Sequence, residues 1–363
     1  MSSRNYGRGV DVMHPTLDTQ VLKRAVQLAC RAPSVHNSQP WRWVAQGAAL
    51  HLFIDRNRTV PGTDSLDRDA IISCGAVLDH LRIAMLAEGW QADITRFPDK
   101  TDPDELASMK FSPALVTGAQ RERTLAILQR RTDRLPLRQP AYWDFFERAL
   151  YDAVDDRVVH LHVLGDDSRP QLAEAAKLTE DIRNGDWLYL AELDWWTTPY
   201  AVSEGIPPSA LASDKEHQRV DVGREFPVRI HTDRRPELEA DWSKILVLCT
   251  DEDDRADWLR SGEALSTVLL ECTMAGMATC PLTHLIELDE SRDIVRDLIG
   301  QAGEPQVLIR VGIAPSMDRP AAPTPRRPLH DVLKVRQVHQ QGSTNFGPDG
   351  AGPSAGEIDG FRQ

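Results

Sequence analysis

The stretch from residue 31 to residue 43 carries the densest set of side chains able to hold a planar ligand. Pro33, Ser34, Val35 and Asn37 follow directly on a predicted helix end, and a second proline comes shortly after them. Proline fixes the backbone, while serine and asparagine offer short hydrogen-bonding groups. Such a stretch suits the donor and acceptor edge of a flat heterocycle. A capped loop between a helix and a strand has the same composition, so the residues alone leave both interpretations open.

Two arginine-rich stretches could bind a phosphate group. The first contains Arg130, Thr132 and Arg134, and the second, near the end of the chain, contains Arg326 and Arg327 beside prolines. Guanidinium groups bind phosphate oxygens in pairs, and threonine adds a short donor. A solvated helix end and a basic linker are the alternatives for the two stretches.

A further candidate follows the second of two long apolar helices. Pro281, Leu282 and Thr283 come after Gly276, and we expect them to form a turn that packs along a flat ring and donates backbone amides to it. A helix C-cap followed by an ordinary loop is the alternative.

The composition excludes several classes of partner. The chain has 363 residues, with 42 Lys and Arg against 55 Asp and Glu, and a formal net charge of −13. Binding to nucleic acid or to an anionic membrane needs a basic face, so we expect neither. No run of about 18 apolar residues is visible, and the polar segment Met1 to Val10 does not resemble a secretory signal.

The cysteines indicate a reducing compartment. All five are scattered along the chain, and no Cys-x-x-Cys pair occurs among Cys30, Cys74, Cys249, Cys272 and Cys280. This pattern argues against a disulfide framework and against a metal site. We therefore expect reduced thiols and a cytoplasmic protein.

Hydrophobic periodicity predicts helices that alternate with strands, which indicates an α/β or α+β class. The predicted helices are Thr16 to Arg31, Asp69 to Gly89, Arg121 to Arg130, Trp143 to Ala153, Arg169 to Ile182, Trp258 to Met277 and Ser291 to Leu298. The predicted strands are Leu50 to Ile54, Ala92 to Phe97, Val158 to Leu164, Ile245 to Thr250 and Pro305 to Gly312.

Two segments have a different composition. Residues 187–242 are rich in Trp, Pro and Gly, which does not support long regular elements and is typical of a lid or a surface extension. Residues 340–363 consist mainly of Gly, Ser, Pro and Asp, and we predict a disordered tail there.

The two long apolar helices resemble each other. Gly75 and Gly89 are separated by the same interval as Gly262 and Gly276, and each helix ends in a glycine-containing turn. This internal similarity favours a duplicated fold, although two buried helices can share Leu and Ala by composition alone.

Taken together, these stretches resemble the nitroreductase family of FMN-dependent enzymes. Residues 32–41 match that family's Ala-Pro-Ser-x-x-Asn-x-Gln-Pro-Trp loop almost completely. Residues 130–134 match its Arg-x-Ser-x-Arg phosphate motif, with Thr132 in place of serine, and residues 325–329 match its late Arg-x-Pro-Leu. The resemblance covers roughly residues 15–335.

The order of the motifs departs from that family, because the phosphate motif follows the Ala-Pro-Ser loop instead of preceding it. The chain therefore resembles two intertwined nitroreductase subunits fused into one, as in the Acg-type subfamily of mycobacterial dormancy proteins. The resemblance implies an α+β, nitroreductase-like fold with two tandem halves, 1–125 and 126–339, that form a pseudo-dimer with one FMN site. Further dimerisation is compatible with this arrangement.

The resemblance also implies roles for the candidate residues. The FMN phosphate is expected at Arg130, Thr132, Arg134 and Arg326, with Arg327 as an extra contact. The ring and ribityl chain are expected at Pro33, Ser34, Val35 and Asn37, and the ring face at Pro281, Leu282 and Thr283. The family usually has no protein nucleophile or general base, so no catalytic residue is assigned. His36 and His284 lie beside the expected ring, either as proton donors or as packing residues.

Two functions follow as expectations. The first is an NAD(P)H-dependent nitroreductase or quinone reductase, in which hydride passes through flavin N5 to a nitroaromatic or a quinone in a ping-pong cycle. The second is a catalytically silent protein that sequesters FMN beneath the insertion at 187–242.

Overall fold

The computed structural model describes residues 17–198, 204–227, 232–315 and 323–336. The predicted tail at 340–363 and the segment Met1 to Val10 lie outside the described residues. Within them the chain is a mixture of helices and antiparallel strands, which confirms the α+β class. All five cysteines are buried free thiols.

The helices and strands are named here in chain order. The helices are α1 (Thr19–Ala29), α2 (Arg68–Ala87), α3 (Gly118–Gln129), α4 (Trp143–Ala153), α5 (Arg169–Arg183), α6 (Trp187–Trp196), α7 (Asp214–His217), α8 (Arg255–Met274), α9 (Asp289–Leu298) and α10 (Leu329–Val332). The strands are β1 (Trp41–Gln46), β2 (Ala49–Ile54), β3 (Trp90–Arg96), β4 (Glu105–Pro113), β5 (His160–Leu164), β6 (Lys244–Thr250), β7 (Ala278–Leu282), β8 (Glu304–Gly312) and β9 (Leu333–Arg336).

Two sheets share one strand order. The first runs β3-β4-β2-β1-β9 and the second runs β7-β8-β6-β5, so the second repeats the first without its last strand. Every pair common to both sheets is antiparallel. The register is irregular at corresponding strands, between Leu52 and Phe53 in β2 and between Leu248 and Cys249 in β6.

Helices α2 and α8 cross between the two sheets. At the crossing, residues that are 187 positions apart in the chain, such as Gly75 and Gly262, meet each other. The Cα of Gly262 lies 2.9 Å from the position that a Cβ on Gly75 would take. Ser266 donates a hydrogen bond of 2.6 Å to Asp79, and these two residues are also 187 positions apart. Glycine is required here because a side chain at either position would enter the partner's backbone.

Strand β9 belongs spatially to the first sheet, although it comes near the end of the chain. It pairs in parallel with β1, with Trp43 opposite Leu333. The segment at 323–336 therefore packs against the first sheet and the 31–41 loop, although it follows the second sheet in the chain.

Most predicted helices and strands are present, with ends within a few residues of those expected, and Trp143–Ala153 has the expected bounds. Capping explains several starts, since Asp18 accepts from the backbone N–H of Gln20 before α1. The expectation that residues 187–242 lack regular elements was wrong at α6, a ten-residue helix capped by Asp186. The expected turn at Pro281 and Leu282 is instead the end of strand β7.

Among the described residues, α2 is long and apolar enough to cross a membrane by length and composition. Its apolar window is 83% buried inside the protein, as expected for the central helix of a core. Burial on both sides, by α8 and by the first sheet, explains its nearly uniform apolar composition.

Candidate functional site

A cleft of about 140 Å³ lies between the loop at 33–36, α2, the end of strand β7 and the insertion. Pro33, Ser34 and Val35 line one side of it. Pro281, Leu282 and Thr283 line another side, and Thr132 and Arg134 lie in the same cleft. The structure thus brings together eight of the twelve site residues expected from the sequence.

The stretch after Pro33 has an unusual backbone conformation. His36, Asn37 and Gln39 all have positive φ angles, of 47°, 58° and 54°. Few residues other than glycine adopt this region, and such conformations cluster at functional sites. Two serines hold the loop in place: Ser34 Oγ accepts from the Gln39 N–H at 3.1 Å, and Ser73 Oγ on α2 accepts from the Val35 N–H at 3.1 Å.

Asn37 has a different position from the one expected. Its side-chain amide donates to the carbonyl oxygens of Gly205, at 2.8 Å, and Pro325, at 3.2 Å. The side chain therefore joins the 33–39 loop to the insertion and to the segment before β9.

Four arginines gather next to Pro33 and Thr132 of the cleft, and two of them, Arg31 and Arg326, line a second, neighbouring pocket. Arg31, Arg130, Arg131 and Arg326 make hydrogen bonds only to backbone carbonyls within the described residues. Arg130 is 5% exposed, and its Nε and Nη1 atoms have no hydrogen-bond partner there. Burial, together with the neighbouring charges of Arg131 and Arg31, lowers the pKa of Arg130 to about 9.

Burial also lowers the pKa of Arg326 well below its ordinary value, and the charges of Arg31 and Arg130 add to that effect. A buried charge such as that of Arg130, with unpartnered donors and like charges beside it, is costly unless an anion completes it. A phosphate, with two negative charges and several acceptor oxygens, fits this arginine cluster.

The other two arginines lie apart from the cluster. Arg134 lines the cleft, where its guanidinium stands 5.3 Å from the ring centre of Phe226 and donates to the Ala210 carbonyl at 3.3 Å. Arg327 forms an ion pair of 3.2 Å with Asp55 and donates to the carbonyl of Gln39. The charge of Arg327 is therefore already compensated within the protein.

Residues 204–227 of the insertion cover the cleft, and we call this segment the lid. The lid contributes a mixed lining, made of Ile206, Ala212, Asp214, His217, Val220, Gly223, Arg224, Glu225 and Phe226. One end is tied to the first half, since Arg58 forms an ion pair with Glu204. The other end is tied to the second half by the buried ion pair of Arg224 with Glu287.

Burial opposes the charge on both partners of that second ion pair, but the Glu287 carboxylate keeps the pKa of Arg224 above its ordinary value. Arg224 also donates to the hydroxyl of Tyr189 at 3.1 Å and to Thr283 Oγ1 at 3.4 Å. The lid is therefore in direct contact with a residue expected at the ring face.

His36 and His284, two of the three histidines that line the cleft, are neutral at ordinary pH. Burial lowers the pKa of His36 well below its usual range, and the charges of Arg224 and Arg134 lower it further. Burial and Arg224 do the same to His284. His36 Nε2 lies 3.1 Å from Thr63 Oγ1, and its ring meets Phe226 edge-on.

A possible ligand set for a metal also lies at the margin of the lid. One donor atom from each of Glu180, His217 and Glu225 falls within 4.8 Å of the others. All three residues keep some solvent exposure, and exposed acidic groups commonly occur without an ion. We assign no metal to them.

Sequence reasoning missed part of the lining. Asp69, Ile72 and Ser73 face the cleft from α2, and their spacing of three and four residues on a predicted helix was a readable signal. Arg224 and Phe226 carry no such signal, because their position depends on how the lid folds back.

Comparison with curated proteins places the chain among known relatives, while no family model matches it. The "Putative NAD(P)H nitroreductase acg" of Mycobacterium tuberculosis is 55% identical over 319 residues, which span 88% of this chain and 96% of that protein. The chain belongs to the nitroreductase family. A second relative in the same organism, "Putative NAD(P)H nitroreductase Rv3131", is 36% identical over 90% of this nitroreductase-family chain and 95% of its own length.

A third relative, the "Uncharacterized protein Rv3127" of the same organism, is 62% identical over 89% of this chain and 95% of its own length. Among solved structures, nitroreductase A from Vibrio parahaemolyticus aligns over 60% of this chain and 77% of that chain, with 16% identity and a TM-score of 0.36. A structural similarity this low does not support an inference about fold or function, so family membership rests on the sequence relatives.

Proposed function

We propose that this nitroreductase-family chain binds one FMN in the cleft. The observation that carries the proposal is the arginine cluster, where the buried Arg130 has two donor atoms without a partner and none of the four guanidinium groups pairs with a carboxylate within the described residues. Arg130 and Arg326 would hold the phosphate, and Thr132, at the cleft edge, would add a hydroxyl. Arg31 and Arg131 would complete the positive field around it.

The remaining residues would hold the ring and the ribityl chain. Pro33, Ser34 and Val35 would contact them from the loop, and Pro281, Leu282 and Thr283 from the end of β7. Arg134 would face the ring and not the phosphate, since its guanidinium lies in the cleft. A fixed positive charge there favours negative charge on a bound ring.

The first candidate activity is reduction of a flat acceptor, a nitroaromatic or a quinone, by NAD(P)H in a ping-pong cycle. Bound FMN supplies the redox chemistry, taking a hydride from nicotinamide and passing it to the acceptor. The protein would orient both substrates against one face of the ring and exclude water from it. The names of the two nitroreductase relatives support this candidate.

The second candidate is a catalytically silent protein that stores FMN. One observation favours it: the lid covers the cleft and is tied down at both ends, by Arg58 to Glu204 and by Arg224 to Glu287. A closed lid would keep nicotinamide from the ring.

Both candidate functions require FMN to bind in the cleft, and a flavin titration tests that requirement. Wild-type chain is titrated with FMN and with riboflavin, which lacks the phosphate. FMN should bind at least about 100-fold more tightly, because a buried charge-assisted contact is lost in riboflavin. Arg130→Ala should reduce this preference to a few-fold, whereas Arg138→Ala, an exposed arginine that lies outside the cleft, should leave it unchanged. Equal affinity for the two flavins in the wild type would refute the phosphate site.

Anaerobic reduction separates the two candidates. If the chain is a reductase, adding NADPH to the FMN-loaded protein bleaches the flavin absorbance within seconds to minutes. If it stores FMN, the band persists on that timescale, and Glu204→Gln, which removes one of the two ion pairs of the lid, speeds its bleaching only several-fold.

We also propose that the two halves of the chain descend from one duplicated unit. The shared strand order, the corresponding register irregularities and the contact of Gly75 with Gly262 support this proposal. In a symmetric dimer, equivalent residues meet on the two-fold axis, and here residues 187 positions apart do so.

A further inference from the structure

A hydrogen-bonded chain connects the cleft to the helix that precedes the lid. His36 Nε2 lies 3.1 Å from Thr63 Oγ1, and that hydroxyl lies 3.2 Å from Oε2 of Glu192 on α6. The same carboxylate accepts the backbone N–H groups of Gly62 and Thr63, each at 2.9 Å. Because Glu192 is held by two backbone donors, its position is fixed relative to the loop.

The chain sets the tautomer of His36. The Glu192 carboxylate, which accepts two backbone N–H groups, is the acceptor for the Thr63 hydroxyl as well. Thr63 therefore donates to Glu192 and has a lone pair left for His36, so the proton of the neutral imidazole lies on Nε2. That assignment leaves Nδ1 as an acceptor, and the described residues provide no partner for it.

His36 is also held in a strained conformation beside the ligand position. It lines the cleft, is 5% exposed and has a φ angle of 47°. An ordinary packing histidine needs neither a left-handed backbone nor an oriented ring. The charged groups around the imidazole of His36 are Arg224 from the lid, Arg134 from the segment after α3, and Glu192, which acts through Thr63.

We propose that His36 is a proton-transfer residue, which takes up a proton at Nδ1 when a bound flavin becomes negatively charged and then gives it to the acceptor. The proposal rests on the proposed FMN site. In the ligand-free cleft, burial and the two arginines keep the ring neutral. A reduced isoalloxazine carries a negative charge, which offsets Arg134 and Arg224 and so favours imidazolium. Glu192, acting through Thr63, stabilises the same charged form.

The step is balanced in atoms and charge. A quinone or nitro acceptor takes a hydride from the reduced flavin and a proton from His36 Nδ1. The quinone becomes a hydroquinone, while the nitro group becomes a nitroso group and one water. His36 returns to the neutral form with its proton on Nε2. The lid covers the cleft, and a proton donor within the protein, already beside the acceptor, would deliver the proton there.

The test counts protons taken up when the flavin is reduced. FMN-loaded protein is photoreduced without nicotinamide at about pH 6.5, in weak buffer with a pH indicator. The wild type should take up about one proton more per flavin than His36→Asn. Asparagine suits the left-handed backbone and does not titrate. The matched control is His51→Gln, which removes a histidine paired with Glu105 in the first sheet and should behave as wild type.

Thr63→Val should give an intermediate proton count, because it keeps the shape of the side chain and breaks the link to Glu192. Equal proton uptake by the wild type and His36→Asn would overturn the proposal. If His36→Asn fails to fold or to bind FMN, nitrogen NMR of the wild-type ring decides instead. The ring should be protonated on Nε2 alone before reduction and on both nitrogens after it, and a ring that stays neutral after reduction would also overturn the proposal. Failure of the wild type to bind FMN would instead refute the proposed function.

Discussion

The two sides of the α2–α8 crossing differ in what fills them. On the cleft side, Ser73 of α2 lines the cleft, Ala76 lies one turn further along the same helix, and Thr283 after β7 lines the cleft as well. At the positions 187 residues away stand Arg260, Glu263 and Arg96, respectively. Ser73 and Thr283 border a cleft, whereas Arg96 and Glu263 form a two-pronged ion pair of 2.7 and 2.5 Å.

This difference gives a physical reason for a single site. An internally satisfied ion pair occupies the side that corresponds to the cleft, and Arg255 stacks over Phe97 beside it. The arginine cluster, by contrast, has no carboxylate partner among the described residues and needs an anion from outside. Under the proposed duplication, one side would keep the proposed FMN site while the other supplies its own counter-charges.

The largest effect tests the shared crossing. Gly75→Ala and Gly262→Ala should each lower the free energy of unfolding by about 3 kcal/mol, because each new Cβ would lie 2.0 Å from a carbonyl oxygen of the other helix. Urea unfolding measures both. Gly118→Ala at the start of α3, where nothing lies within 4 Å, is the control and should be neutral or stabilising. Unequal costs at the two crossing glycines would argue against a symmetric contact.

The next effect tests the side of the crossing that the Arg96–Glu263 ion pair occupies. Arg96→Ala should cost about 1 to 2 kcal/mol of stability, because Glu263 loses its partner in a partly buried position. The double variant with Glu263→Ala should cost less than the sum of the two single changes. FMN content should be unchanged in both. A loss of FMN on removing Arg96 would break the proposed separation of the two sides.

A smaller effect compares two aspartates that are 187 residues apart. Asp64 lies beside the cleft, 7% exposed, and burial together with the charge of Asp69 raises its pKa from 3.8 to about 8. The folded state therefore holds a proton that the unfolded state releases, and stability falls as the pH rises between those two values. Asp64→Asn should be more stable than wild type by about 1 kcal/mol or more above pH 8, and not at pH 4, in thermal unfolding.

Asp251 is the matched control for that change, since its side chain is 80% exposed. Asp251→Asn should leave the pH dependence of unfolding as it is in the wild type. An equal gain in stability from both substitutions would show that the cleft side is no more buried than its counterpart.

The smallest expected effect concerns the lid, which covers the cleft and not the opposite side of the crossing. Glu204→Gln weakens the ion pair with Arg58 and should speed FMN dissociation several-fold, because a partly exposed pair contributes about 1 kcal/mol or less. Stopped-flow fluorescence measures the release. Glu237→Gln changes another glutamate of the insertion, one that stands 4.0 Å from Arg138 at the surface, and should have no effect. Equal release rates in both variants would mean that the lid does not limit exit.

The sequence predicted what depends on local pattern. The periodicity of α2 and α4 was sufficient to locate them. The loop after Pro33 and the stretch around Thr132, both predicted as parts of the site, line the cleft. Strands β4, β7 and β9 were missed. The apolar alternation of β4 and β7 is weak, and β9 pairs with β1, which lies at the other end of the chain. The lid could not be placed, since Phe226 reaches the cleft only through ties at Arg58 and Glu287 that no spacing in the sequence reveals.

The most direct test of the account is the number of flavins per chain. The purified protein is reconstituted with FMN, freed of excess, and its visible absorbance is compared with its protein concentration. The account predicts one FMN per chain, lost on Arg326→Ala and kept on Arg96→Ala. No bound FMN, or two per chain, would contradict it.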